Sequence, residues 1–404
     1  MTGSASTGRR HDADVLFAGS AGGHIAVPQQ LLTGDGSLER LGPALAGLDV
    51  DAGPVLVAAD AVLARLGVTE AVAATLAGAG YDAVLYTEIA GEPDLAGADR
   101  IVEAVRAEPY VAVVGIGGGS AMDVAKLAAG LATNDGPVED YLRARRAVER
   151  RALPFALVPT TAGTGAEASK NTIVTHEGRK FVVGTPLLSP TLALLDPLLT
   201  VSCPATTTAA SGMDALAHAV EASLSTWATP VTTLNALAAV STIARWLPAA
   251  VEDGSSLPAR RAMLYAAYFA GLSINASTLL GHSIAYTIAT RTHLPHGVTT
   301  AMALPYCIAY DAPAAPEQVR LLARTAGVEE SSFATWLHEL AGELGMPASL
   351  ADVGIAEGDL PEMVDDVIAK YPRPNNPVPF ERDRLLALYR HFLEGDLAGA
   401  LETA

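Results

Sequence analysis

The chain is short of cysteine, of aromatic residues and of charge. Its two cysteines, Cys203 and Cys307, fit no CxxC or zinc-ribbon spacing, which excludes a disulfide framework and a thiolate metal site and points to a reducing, cytoplasmic setting. Aromatics make up 5% and charged residues 17% against 50% hydrophobic residues, so a helix-rich globular chain is expected rather than a disordered or fibrous one. The charge is also lopsided. A formal net charge of -18 excludes a nucleic-acid surface, and the basic run "RARRAVERR" at 143–151, flanked by acids, reads as a solvated helix. No run approaches the roughly 18 apolar residues that span a bilayer, so no membrane partner is expected. The opening "MTGSASTGRRHDADVLFAGSAGG" lacks the apolar core of a signal peptide, and residues 1–23 read as a loose polar tail. At 404 residues the chain exceeds the size at which one core keeps growing, which implies two domains.

Strand and helix signals alternate from about residue 50, the pattern of a parallel sheet covered by helices. "GPVLVAAD", "YDAVLYTE", "VAVVGIGGGS", "FALVPTTAGTGAEAS", "KFVVGT" and "LALLD" read as strands, with helical stretches between them. Past Asp196 the strand signals stop, and Ala- and Leu-rich amphipathic helices follow, with prolines at 230, 248, 258, 295 and 305 read as joints. The fold class expected is an α/β Rossmann-like domain over residues 24–199 and an all-α helical domain over residues 200–404.

The strict dinucleotide fingerprint is also missing: in "VAVVGIGGGSAMD" its third glycine position holds Ser120. Gly118 and Gly119 still allow close backbone approach, and the helix that follows offers free N–H groups and a positive dipole end to a diphosphate. The competing reading is a turn closed by an S-x-x-D capping box between Ser120 and Asp123. Asp60, ending an early strand, is placed to hold a ribose diol and repel a 2'-phosphate, which favours NAD over NADP, although a helix cap would look the same. Thr160, Thr161 and Thr164 supply hydroxyls for a nicotinamide or a phosphate, and turn chemistry accounts for them nearly as well.

"GMDALAHAVE" sets Asp214 and His218 four residues apart, on one helix face and within reach of one cation. A desolvated Asp/His pair in apolar surroundings requires a partner or a metal. His282 and His296, in "LGHSIAYTIATRTHLPHG", would stand roughly 21 Å apart on an unbroken helix. Pro295 breaks that path and lets the second histidine swing back towards the first, and spacing does not rank His293 against His296.

Together "GGGSAMDVAK", "PTTAGTGAEAS", "GMDALAHAVE", "INASTLLGHSIAY", "LPHGVTTAMALPY" and "NNPVPF" resemble the iron-containing, or group III, alcohol dehydrogenase family from about residue 29 to the C-terminus. The resemblance implies a metal held by Asp214, His218, His282 and His296. It also implies cofactor contacts at Gly119, Ser120, Thr160, Thr161 and Lys180, with Asp60 as the residue selecting NAD and Gly118, Asp123 and Thr164 grouped with them. Fe(II) follows from the family, and the ligand set suits Zn(II) equally. The activity implied is hydride transfer between NAD(H) and an alcohol, aldehyde or ketone, in a homodimer or larger homo-oligomer. The alternative is a maleylacetate-reductase-like, glycerol-dehydrogenase-like or dehydroquinate-synthase-like member acting on an acidic or polyol substrate, for which Arg291 is the one obvious cation.

The chain departs from the family twice. Many members carry a histidine four residues after His282, and here Tyr286 stands there, a poorer proton shuttle at neutral pH than imidazole. Ser273 replaces a frequent bulky aromatic, which implies a roomier substrate pocket with polar contacts from Asn171 and Asn275.

Overall fold

The structure is a computed structural model, and it describes residues 15–16, 23–89 and 91–403. Nearly all of the polar tail expected over 1–23 lies outside the described residues. Six strands form one parallel sheet: β1 (Gln30–Thr33), β2 (Pro54–Asp60), β3 (Asp82–Ile89), β4 (Ala112–Gly117), β5 (Phe155–Pro159) and β8 (Leu192–Leu195), in the order β1-β8-β5-β4-β2-β3. The four inner strands β2, β4, β5 and β8 are apolar runs because both of their faces are covered, whereas the edge strands β1 and β3 are partly exposed. Val55, Val57 and Ala59 enter one buried cluster, while Leu56 and Ala58, one residue out of step, enter the cluster on the other face.

"KFVVGT" is a strand but not of this sheet. It is β7 (Arg179–Gly184), paired antiparallel with β6 (Asn171–His176), a strand the alternation did not signal. Both turn residues, Glu177 (φ 51°) and Gly178 (φ 66°), have positive φ, the geometry of a two-residue hairpin whose twist suits the strands it joins. The basic run is not a helix either. The helix Val138–Leu142 stops, Ala144 turns to φ 53°, and the N–H groups of Arg145 and Arg146 both donate to the Asp140 carbonyl. Arg143 then reaches Glu139 and Glu177, so carboxylates neutralise the run in a turn that loops back on itself.

After β8 the described chain is helical. The helix Ala205–Leu224 is the axis: it packs against Pro230–Glu252, Leu257–Ser273 and His296–Asp311, and from Thr208 onward almost every residue is buried. Pro230, Pro258 and Pro295 sit at helix starts as read, whereas Pro248 and Pro305 lie inside helices that continue through them. Packing along these long apolar helices outweighs the roughly 3 kcal/mol that an interior proline costs. By length and composition Pro230–Glu252 could cross a membrane; its buried side, including Ala236, Val240, Ile243 and Leu247, belongs to the helical core.

Candidate active site and metal centre

Because the sheet is parallel, β2, β4 and β5 end on the same edge, where ligands of such folds bind. That edge lines a cleft of about 930 Å³ that contains Asp60, Gly118, Gly119, Ser120, Thr160, Thr161, Thr164 and Lys180 and reaches Asp214 and His296 in the helical half. Gly118 is the N-cap of the helix Gly119–Ala132 and makes no side-chain cap bond, so the capping box between Ser120 and Asp123 does not form. A Cβ on Gly119 would lie 2.6 Å from the Thr164 methyl, so only glycine lets the two loops approach this closely. Asp60 does cap a helix: Oδ1 accepts from the N–H groups of Val62 (2.8 Å) and Leu63 (3.0 Å), and the carboxylate still borders the cleft.

Four of the cofactor and substrate contacts expected from the sequence do not line this cleft. Asp123 turns to β6, where its carboxylate accepts from the Ile173 N–H, and burial pushes its carboxyl up to about 6. The Asn171 carbonyl accepts from Lys126. Ser273 is fully buried, its hydroxyl donating to the Ala270 carbonyl, and Asn275 clamps the backbone of Ala26 at both N–H and C=O. The roomier pocket expected at Ser273 is therefore absent from the cleft lining, because a backbone bond turns that side chain inward.

At the inner end, donor atoms of Asp214, His218 and His282 all lie within 4.8 Å of one another, and all three residues are buried. The His218 and His282 rings stack with centroids 4.7 Å apart. His296 stands beside this trio, its Nε2 3.7 Å from Asp214 Oδ1. The helix Leu280–Thr292 ends at His293, in the left-handed conformation (φ 58°), and Pro295 begins the next helix, so the chain reverses and returns His296 to His282. His293 stays exposed on the cleft rim.

His218 Nδ1, His282 Nε2 and His296 Nδ1 are buried without a hydrogen-bond partner among the described residues. Orphaned imidazole nitrogens next to a buried carboxylate fit a divalent cation that accepts nitrogen and oxygen ligands. Burial lowers the His218 pKa, with Asp214 opposing it; burial lowers that of His296 well below the usual value, and Lys180 adds to the effect. Both rings are thus held neutral, the form that binds metal.

Glu221, three residues after His218, had no role in the sequence reading. It is fully buried and grips His282 twice: Oε1 accepts from the His282 backbone N–H (3.0 Å), and Oε2 pairs with the ring Nδ1. Burial raises the Glu221 carboxyl, and the charge and hydrogen bonds of His282 outweigh it, so the net shift is downward. A proton on Nδ1 leaves Nε2 free to face Asp214 and a cation. Tyr286 stacks on His296 (5.4 Å) and meets His282 edge-on (6.2 Å). Burial pushes its phenol up, which runs against ionisation at neutral pH.

The chain has relatives among known proteins. Residues 28–197 match the family described as "Iron-containing alcohol dehydrogenase", and residues 208–393 match "Fe-containing alcohol dehydrogenase family, C-terminal". The chain is 34% identical over 386 residues to long-chain-alcohol dehydrogenase 1 of Geobacillus thermodenitrificans, across 92% of this chain and 97% of that one. The chain belongs to the iron-containing alcohol dehydrogenase family. It is also 32% identical to the NAD-dependent methanol dehydrogenase of Bacillus methanolicus, across 87% and 94% of the two chains. The crystal structure of a 1,3-propanediol oxidoreductase superposes with a TM-score of 0.87 at 29% identity, across 92% of this chain and all of the other. As an iron-containing alcohol dehydrogenase the chain is an NAD-dependent oxidoreductase acting on CH–OH groups.

Proposed function

We propose that the chain interconverts an alcohol with its aldehyde or ketone, using NAD(H) and one iron ion held by Asp214, His218, His282 and His296. The observation that carries this reading is the convergence of the orphaned His218 Nδ1 and His282 Nε2, and of His296 Nε2, on the Asp214 carboxylate at the inner end of a cleft whose outer part is a glycine-rich, hydroxyl-rich sheet edge. When bound, the divalent ion supplies Lewis acidity that lowers the pKa of an alcohol or polarises a carbonyl. The donor set accepts Zn(II) as readily, and membership of the family favours iron.

In this reading the helix start at Gly118–Ser120 receives the cofactor diphosphate and Asp60 holds the adenosine ribose and repels a 2'-phosphate. Thr160, Thr161, Thr164 and Lys180 orient the nicotinamide half. Residues 24–199 act as the cofactor domain and 200–404 as the metal and substrate domain. Tyr286 covers the rings of His282 and His296 and excludes water, while the exposed His293 and cleft water carry the proton. The protein works in the cytoplasm as a homodimer, consistent with exposed apolar side chains at Trp227, Val231 and Leu234.

Metal analysis of the purified protein, followed by a panel of aldehydes and ketones monitored at the NADH absorbance, tests this. Stoichiometric iron, turnover with NADH and loss of both in the Asp214→Ala variant are expected. Full metal content in that variant, or equal use of NADPH, would sink the ligand set or the role of Asp60.

A further inference from the structure

Lys126 is the only buried lysine among the described residues, and it is buried completely. It stands on the helix Gly119–Ala132, whose first turn borders the cleft, and its Nζ donates to three backbone carbonyls of another segment: Ala166 (2.8 Å), Ser169 (2.7 Å) and Asn171 (2.5 Å). Three carbonyl oxygens drawn to one point repel one another unless a cation or a triple donor stands between them. Of the side chains only an ammonium offers three N–H groups from a single atom. Burial pulls it down to about 8, with the charges of Asp123 and Glu167 opposing, so it is a cation at neutral pH. Converging carbonyls of this kind are how proteins hold a bare monovalent cation. Here the chain supplies the cation itself.

The segment caged in this way carries the cleft's other walls. Just before Ala166 comes Thr164, which lines the cleft and packs so closely on Gly119 that no Cβ fits there. Asn171 opens β6, and the β6–β7 hairpin forms a two-stranded sheet apart from the six-stranded one, so its aim depends on how its root is held. The same helix holds that root again through Asp123, whose carboxylate accepts from the Ile173 N–H (3.2 Å) and whose carbonyl accepts from the Thr172 hydroxyl (2.8 Å). Opposite Thr175 on the hairpin stands Lys180, which lines the cleft. One ammonium therefore fixes the register of three elements: the helix start, the threonine loop and the strand that bears Lys180.

Resting on the cofactor reading above, we infer that the carbonyls of Ala166, Ser169 and Asn171 form a monovalent-cation site whose resident cation is the Lys126 ammonium, and that this tethered cation positions the loops that bind NAD(H). Lys126 does not line the cleft and acts through Thr164 and Lys180, as a positioning residue. Its charge and its three donors are what the site requires, and its aliphatic stem only delivers them.

The test is NADH binding, followed by nicotinamide fluorescence without substrate, together with iron content, in the wild type, Lys126→Ala and Lys126→Met. Lys126→Ala should weaken NADH binding about 10-fold or more, as the loss of one charge-assisted hydrogen bond would, and keep its iron. Propylammonium, which matches the atoms lost beyond Cβ, should restore the affinity saturably, whereas tetramethylammonium at equal ionic strength, a cation without N–H donors, should not. Lys126→Met fills the space without the charge, and it should bind NADH as weakly as the alanine variant and ignore propylammonium. Unchanged NADH affinity in both variants, equal restoration by the two amines, restoration by neither, or failure of both variants to fold with iron bound overturns the inference and leaves the cofactor reading standing. A wild-type protein that holds iron and binds no NADH overturns the cofactor reading itself.

Discussion

Glu221 illustrates how a residue without a reacting atom can govern one that has it. Glu221→Gln should lower metal affinity about 10- to 100-fold, read as metal retained after dialysis against a chelator. Gly281 makes the sharper case. Alanine is the better helix former by roughly 1 kcal/mol, so Gly281→Ala would ordinarily stabilise. Here the added methyl would collide with Glu221 Oε1, and the variant should lose metal as Glu221→Gln does, although position 281 offers no ligand. At this scale the sequence was legible where chemistry repeats along a helix. Asp214 and His218 share a face four residues apart, whereas Glu221 meets His282 across 61 residues and Arg373 meets Ser283 across 90. No spacing rule reaches across those separations, and only the packing of three helices shows which acid turns inward.

The elements were legible in kind and less so in connection. The strands with buried runs were recognisable because a covered parallel sheet demands continuous apolar residues. β1 and β6 escaped: β1 is a four-residue edge strand that is partly exposed, and β6 has only two apolar residues, Ile173 and Val174, between polar pairs in a separate hairpin. Proline read as punctuation failed at Pro248 and Pro305, where tertiary contacts override local preference. The helix Pro230–Glu252 begins instead with a reciprocal cap: the Thr232 N–H donates to Thr229 Oγ1 (3.3 Å), and the Thr229 N–H to Thr232 Oγ1 (2.8 Å). Thr229→Ala should lower the unfolding free energy by about 1 kcal/mol, measured from the denaturant midpoint at constant m-value.

For the whole molecule the buried acids set the response to pH. Glu167 is 1% exposed, neither carboxylate oxygen has a partner among the described residues, and burial pushes its carboxyl up to about 7 from 4.5. A carboxyl raised on folding contributes stability that is complete below about 4.5 and is lost as pH rises through about 7. Glu167→Gln cannot ionise, so its stability relative to wild type should improve between pH 5 and pH 8 by on the order of 3 kcal/mol at most, read from thermal or urea unfolding at the two pH values. Lys126 on the adjacent helix, donating to the carbonyls of Ala166, Ser169 and Asn171, keeps this segment in place while Glu167 titrates.

The two cysteines give the protein a chemical clock. Cys203 is partly exposed, whereas Cys307 is buried 3.7 Å from Glu221 and 3.6 Å from Asp311, and burial raises its thiol well above the ordinary range. A thiol reagent should therefore consume one equivalent promptly, and the second only as fast as the helices around the metal site part. The rate of that second equivalent, followed with and without bound metal, should report the opening of the catalytic core without any introduced label.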